Sequence, residues 1–167
     1  MSESKIYFRG YIEQSPSSDV AVSLEVTEEM AVGVMSALTE DQWKMAYAPG
    51  KWTLAELFLH MIDTERIMAY RALRFSRGDQ SALPGFDENA YVPLSDASNR
   101  SGESILDEFT AVRQSTYALF DNLSEEQMLR TGSFSGYDPI SVYEIGLIIA
   151  GHVVHHLGVV EERYLVG

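Results

Sequence analysis

The stretch "SVYEIGLIIAGHVVHHLGVVEERYL", Ser141–Leu165, decides the fold. Ser141 followed three residues later by Glu144 is a capping box, in which each side chain satisfies an otherwise orphaned backbone donor at a helix start. Behind it, Ile145, Ile148 or Ile149, His152, His156, Val159 or Val160 and Arg163 recur at three-to-four spacing, so they share one face of a long helix. Asp138-Pro139 just ahead keeps the approach extended. The same helix holds three of the four histidines in the chain, His152, His155 and His156.

Three more capping boxes lie upstream. Thr39–Gln42 opens "TEDQW", Thr53–Glu56 opens "TLAELFLHMIDTERIMAYRALRFSRG", and Ser124–Gln127 opens "SEEQMLR". From Thr53, Leu57, His60 or Met61, Ile67 or Met68 and Leu73 or Phe75 recur at helical spacing, with Glu56, Asp63, Glu65, Arg66, Arg74 and Arg77 interleaved. Gly78 is a natural stop, and the "RGD" at Arg77–Asp79 reads as a helix end. Two further long helices are predicted, over Asp19–Leu38 and from about Ser101 to Asn122, although Val-rich "VAVSLEV" also suits a short strand.

Four long helices and no convincing set of strands indicate an all-α, single-domain four-helix bundle over residues 1–167. The connection between the second and third long helices, "GDQSALPGFDENAYVPLSDASNR", can run the length of a bundle, so those two helices can lie parallel in an up-down-down-up order. Its Leu83, Phe86, Tyr91 and Val92 suggest a lid packed on the bundle. Met30, Met35, Met45, Met61, Met68 and Met128 read as core filler, and Trp43 and Trp52 as packing anchors.

Composition narrows the function. A net charge of −13 repels phosphate backbones, and beyond "YRALRFSRG" the basic residues form no cluster, so nucleic acid is not an expected partner. The uncharged run "IGLIIAGHVV" is too short for a bilayer, and no membrane association is expected. The N-terminal stretch lacks an apolar signal core and the chain has no cysteine, which together point to the cytoplasm. Any thiol chemistry would use a thiol borrowed from a small molecule.

Residues four apart on a helix stand one above the other, so His152 and His156 point the same way while His155 is rotated aside. The pair can share one ion, since neutral imidazole is a preferred ligand for zinc, nickel, copper and iron. His60 supplies a third ligand if its helix runs antiparallel to the last one. Three imidazoles with an open position make a catalytic rather than a closed structural site. Asp63, three residues after His60, could orient an imidazole or act as a general base, and Asp63 and His155 are the catalytic candidates. Glu56, four before His60, is explained as the capping partner of Thr53. No diiron Glu-x-x-His pair, G-x-S-x-G, phosphate loop or dinucleotide fingerprint is present.

"GKWTLAELFLHMIDTERIMAYRALRFSRGD", then "LPGFDENAYV", then "GHVVHHLGVVEERYL" resemble the DinB-like superfamily of four-helix-bundle metalloenzymes, from roughly Ile6 to Tyr164. The resemblance implies a divalent metal, nickel or zinc, on His60, His152 and His156. It implies a small-molecule substrate, a homodimer, and either metal-dependent hydrolysis or S-transfer with a low-molecular-weight thiol as cofactor. The alternative expectation is a non-catalytic, metal-binding or stress-related helical dimer, in which a fourth protein ligand such as His155 or Asp63 would close the site.

Overall fold

Each of the four capping boxes read from the sequence is formed in the computed structural model, which describes residues 3–136 and 139–165, with side chains from Phe8 onward. Asp138 of the extended approach lies outside these residues. The helices in chain order are α1 Glu3–Gln14, α2 Val20–Ala37, α3 Glu40–Trp43, α4 Leu54–Ser76, α5 Glu88–Tyr91, α6 Gly102–Phe120, α7 Glu125–Leu129 and α8 Val142–Val159. One turn of π-helix, Val160–Tyr164, carries α8 onward. Two short antiparallel strands, β1 Thr131–Gly132 and β2 Ile140–Ser141, pair just ahead of α8. The ambiguous "VAVSLEV" is helical, because the Asp19 carboxylate accepts from the amides of Ala21 and Val22 and so starts α2 there. Gly78 ends α4 in the left-handed region at φ 81°.

The long helices α2, α4, α6 and α8 form a ring in which α8 packs on α2 and α4, and α6 packs on the same two from the other side. Side-chain pairings give the directions. Val20 meets Gly146, while Ala31 and Met35 share a core with Val153 and Leu157, so α2 and α8 run parallel. Val20 shares a core with Phe120, while Ala31 and Met35 share one with Ile105 and Phe109, so α2 and α6 are antiparallel. Early α4 (Leu54, Phe58, Ile62) packs with early α6 (Ile105, Phe109), which makes these two parallel. The order is therefore up-down-down-up, and the long connection after Gly78 is what permits two consecutive helices to run the same way. In that connection Leu83 and Val92 are buried and Phe86 is half-buried, as a packed lid requires, but Tyr91 faces solvent.

Helix α1 was not expected from the sequence. It packs along α8, and the contact is close because position 151 is glycine: a Cβ there would stand 1.8 Å from the carbonyl oxygen of Tyr11. Enclosed by α1, α2 and α4, α8 is buried almost all round, which explains its apolar sequence. Val142–Tyr164 is long and apolar enough to cross a membrane by length and composition, yet most of it is buried inside the bundle. Met35, Met61 and Met68 are core residues as expected; Met30, on α2, and Met45, in the connection after α3, instead lie 42% exposed.

Glu65 was grouped with the polar face of its helix, but it is buried. Its carboxylate accepts from Arg113 Nε and Nη2 at 2.9 and 2.8 Å, and Arg113 Nη1 donates to the Leu24 carbonyl and to Thr27 Oγ1 at 2.6 and 2.9 Å. The guanidinium also lies 5.3 Å from the Phe109 ring centroid. This network ties α2, α4 and α6 together at mid-height with every charge answered, the condition under which a buried pair is tolerated. Arg113→Ala leaves the Glu65 carboxylate buried and unanswered, and a loss of ~3–5 kcal/mol in unfolding free energy is expected from denaturant titration. The double change Glu65→Leu with Arg113→Met should recover most of that loss; equal losses in both proteins would contradict the assignment.

Candidate metal centre

His60 sits on the second turn of α4, and His152 and His156 on successive turns of α8. The antiparallel packing of these helices brings the three rings to one level. His152 Nε2 lies 3.2 Å from His60 Nε2 and 3.0 Å from His156 Nε2, and the ligand atoms of all three fall within 4.8 Å of one another. The rings meet edge to face, at 64° for His60 with His152 and 79° for His152 with His156.

Hydrogen bonding accounts poorly for this geometry, because one Nε2 then serves two neighbours whose rings stand steeply across its own plane. A shared cation accounts for it directly. Two nitrogens each ~2.0–2.1 Å from an ion and ~90–110° apart are separated by about 2.8–3.4 Å, which includes both separations from His152 Nε2. The residues present thus fit a divalent metal, and no carboxylate joins the group among the described residues.

Burial prepares the imidazoles for that role. Desolvation, offset slightly by the charge of Glu88, lowers His60 from 6.5 to about 4. Desolvation and the neighbouring His60 and His155 lower His156 to about 3, and desolvation with the neighbouring His156, His60 and His155 holds His152 well below its ordinary value. All three are neutral at pH 7, the form that binds metal. His156 Nδ1 is buried with no hydrogen-bond partner among the described residues, so none of these supplies an acceptor that fixes the tautomer of that ring.

The surroundings are built in layers. The Trp52 ring lies 5.0 Å from that of His60, and the Trp52 carbonyl accepts from the Tyr164 hydroxyl at 2.7 Å, so the π-turn after α8 fixes the wall of the site. Trp52, read from the sequence as a packing anchor alone, is a site residue. Tyr11 of α1 packs its ring edge to face against His152 at 5.3 Å and His155 at 5.4 Å. The nitrogens open into a cleft of about 610 Å³ whose lining also includes Thr64, Arg71, Phe86, Glu88 and Phe134.

His155 and Asp63 stand elsewhere. His155 is half-buried between Tyr11 and His156 and does not line the cleft. Asp63 lies beside Arg66 on the side of α4 that faces α6, its carboxyl raised chiefly by burial. The residues that sequence reasoning missed, Thr64, Arg71 and Glu88, carry no motif. Thr64 and Arg71 share the helical stripe of His60, four and eleven positions on, which was the available signal.

Fold and site together define a four-helix-bundle protein with a three-histidine group that fits a divalent metal. Comparison with known proteins adds the family: the sequence model of the DinB superfamily matches residues 23–160, and the chain belongs to that superfamily. It is 25% identical over 124 residues to a putative metal-dependent hydrolase of Oceanobacillus iheyensis, covering 74% of this chain and 70% of that one. Its fold is similar to YfiT of Bacillus subtilis, described as a probable metal-dependent hydrolase with an unusual four-helix bundle topology. That match has a TM-score of 0.68 at 21% identity and covers 96% of this chain and 87% of the other. It is also similar to the DinB-like protein YjoA of Bacillus subtilis, with TM-score 0.55 and 14% identity over 91% and 87% of the two chains.

A pH dependence follows from the depressed histidines. Below 6.5 the unfolded chain takes up protons that native His60 and His156 refuse until about 4 and 3, so stability is full above 6.5 and falls as pH drops toward 4. Thermal melts of the chelator-treated protein should show a midpoint several degrees lower at pH 5 than at pH 7.5. The drop should shrink in His156→Asn, and an undiminished drop would contradict the assignment.

Proposed function

We propose that the protein is a divalent-metal-dependent hydrolase acting on a small molecule. The observation that carries this reading is the set of three gathered Nε2 atoms lining an open cleft, with no fourth ligand in the group among the described residues, because coordination left open is the mark of a catalytic rather than a structural site. The relative from Oceanobacillus iheyensis, whose name describes a metal-dependent hydrolase, supports it. A metal held there supplies Lewis acidity toward a carbonyl or phosphoryl oxygen and makes a nucleophile available at neutral pH.

The protein's own groups do the rest. His60, His152 and His156 present neutral lone pairs at a fixed spacing. Trp52 and Tyr11 pack their rings against the imidazoles, and Glu88, a cleft-lining lid residue whose charge is felt at His60, is the carboxylate we assign to accept a proton from the nucleophile. Thr64 Oγ1, buried and without a hydrogen-bond partner, is free to bond substrate one turn along α4 from His60. A small thiolate would suit the same open position, and in a chain without cysteine that thiol would come from solution.

Hydrolysis of a panel of activated esters and amides should stop with chelator and return with zinc or nickel. Glu88→Gln should lower kcat by ~10²–10⁴ while metal content is unchanged. Turnover that appears only on adding a small thiol would reassign the reaction to S-transfer, and turnover indifferent to chelator would sink the metal reading.

A further inference from the structure

The cleft has a second chemical pole. Arg71 lines it on the same stripe of α4 as His60, eleven positions and about three turns further on, or ~16 Å along the axis. The residue is only 3% exposed, and among the described residues it has no carboxylate within ion-pair distance. Its Nη2 donates to the Pro84 carbonyl at 3.0 Å, Nη1 approaches Met68 Sδ at 3.2 Å, and the guanidinium lies 3.9 Å from the Phe134 ring centroid. These contacts orient the fork without neutralising it. The other buried arginine, Arg113, shows the contrast, since it is answered in full by Glu65.

A desolvated, uncompensated cation is costly unless something answers it. The chain carries a net charge of −13, yet the two lid carboxylates that line this cleft, Asp87 and Glu88, do not reach Arg71. Glu88 acts on His60, and the Asp87 carboxylate caps α5 by accepting from the Asn89 amide. Burial alone lowers Arg71, to about 10, so it stays charged at neutral pH. Between the two poles lie Thr64, with its unanswered hydroxyl, and the apolar side chains of Met68, Ile148 and Phe8.

We propose that Arg71 is the anchor of an anion subsite, so that the ligand of this cleft is an elongated molecule with a carboxylate or phosphate at the Arg71 end and an apolar middle. Planar bidentate recognition of such groups is the chemistry a guanidinium supplies. That the far end of the ligand carries the hydrolysed group rests on the function proposed above; the anion subsite itself does not.

The test is calorimetry on the full chain, treated with chelator so that no metal competes for the head group, using octanoate, octyl phosphate and 1-octanol as probes of matched chain length. At least one anion is expected to bind tenfold or more tightly than the alcohol, and the tighter of the two assigns the head group. Arg71→Met should abolish that preference while leaving the alcohol's affinity unchanged, whereas mere loosening of the lid would weaken all three probes alike. Equal binding of the alcohol and both anions, or a preference that survives Arg71→Met, would overturn the proposal. Because Arg71 also holds Pro84, a second measurement needs no variant: the Arg71 Nε–Hε resonance of the wild type should shift with the preferred anion and not with 1-octanol, and an unmoved resonance would equally overturn it. Metal binding without any anion preference would sink the subsite alone, and anion preference without metal binding would sink the hydrolase reading alone.

Discussion

The antiparallel contact between α4 and α8 is the constraint on which the rest depends. It sets His60 level with His152 and His156, and it requires α8 to bury its surface on several sides at once. That burial is possible because the helix is lined with Val, Ile and Leu and interrupted by Gly146 and Gly151, where Val20 and the backbone of Tyr11 come too close for a side chain. The up-down-down-up order is the chain's means of making this contact. With helices two and three parallel, the first and last long helices can also lie parallel, and α8 falls between α2 and α4.

The same packing that places the histidines strips them of water. Three largely buried imidazoles, each held neutral, with their Nε2 atoms gathered together, form an arrangement that packing alone does not favour, because a buried polar atom is stabilising only when something answers it. His156 Nδ1 and Thr64 Oγ1 are the two buried side-chain atoms among the described residues that lack a partner, and both belong to residues lining the one cleft. Elsewhere the bundle answers its buried charges closely, as the Glu65–Arg113 network shows. The unanswered groups gather where a metal and a ligand would sit.

Much of this was legible in the sequence, and the reasons are local. A capping box acts within four residues, so the starts of α3, α4, α7 and α8 could be read; helical spacing on α4 and α8 showed which histidines shared a face. The long, Pro- and Gly-punctuated connection gave the order of the bundle, and the pattern of one early and two late histidines carried the family resemblance. What depends on tertiary contacts was not legible. Glu65 and Arg113 look like surface charges until three helices close around them, and α1 was hidden because the glycine that receives it lies some 140 residues away. Trp52, Glu88 and Arg71 reach the cleft through a π-turn, a lid and a helix turn three beyond that of His60, and none of these has a sequence signature at the residue concerned.

The central claim is that the three histidines share one metal ion. Elemental analysis of the untagged protein, after equilibration with zinc or nickel and removal of excess, tests it most directly. About one equivalent per chain is expected in the wild type and in the His155→Ala and Asp63→Ala proteins, with nearly all of it lost in His60→Ala, His152→Ala and His156→Ala. A wild type that stays empty under both metals, or a His152→Ala protein that keeps its full equivalent, would contradict the account.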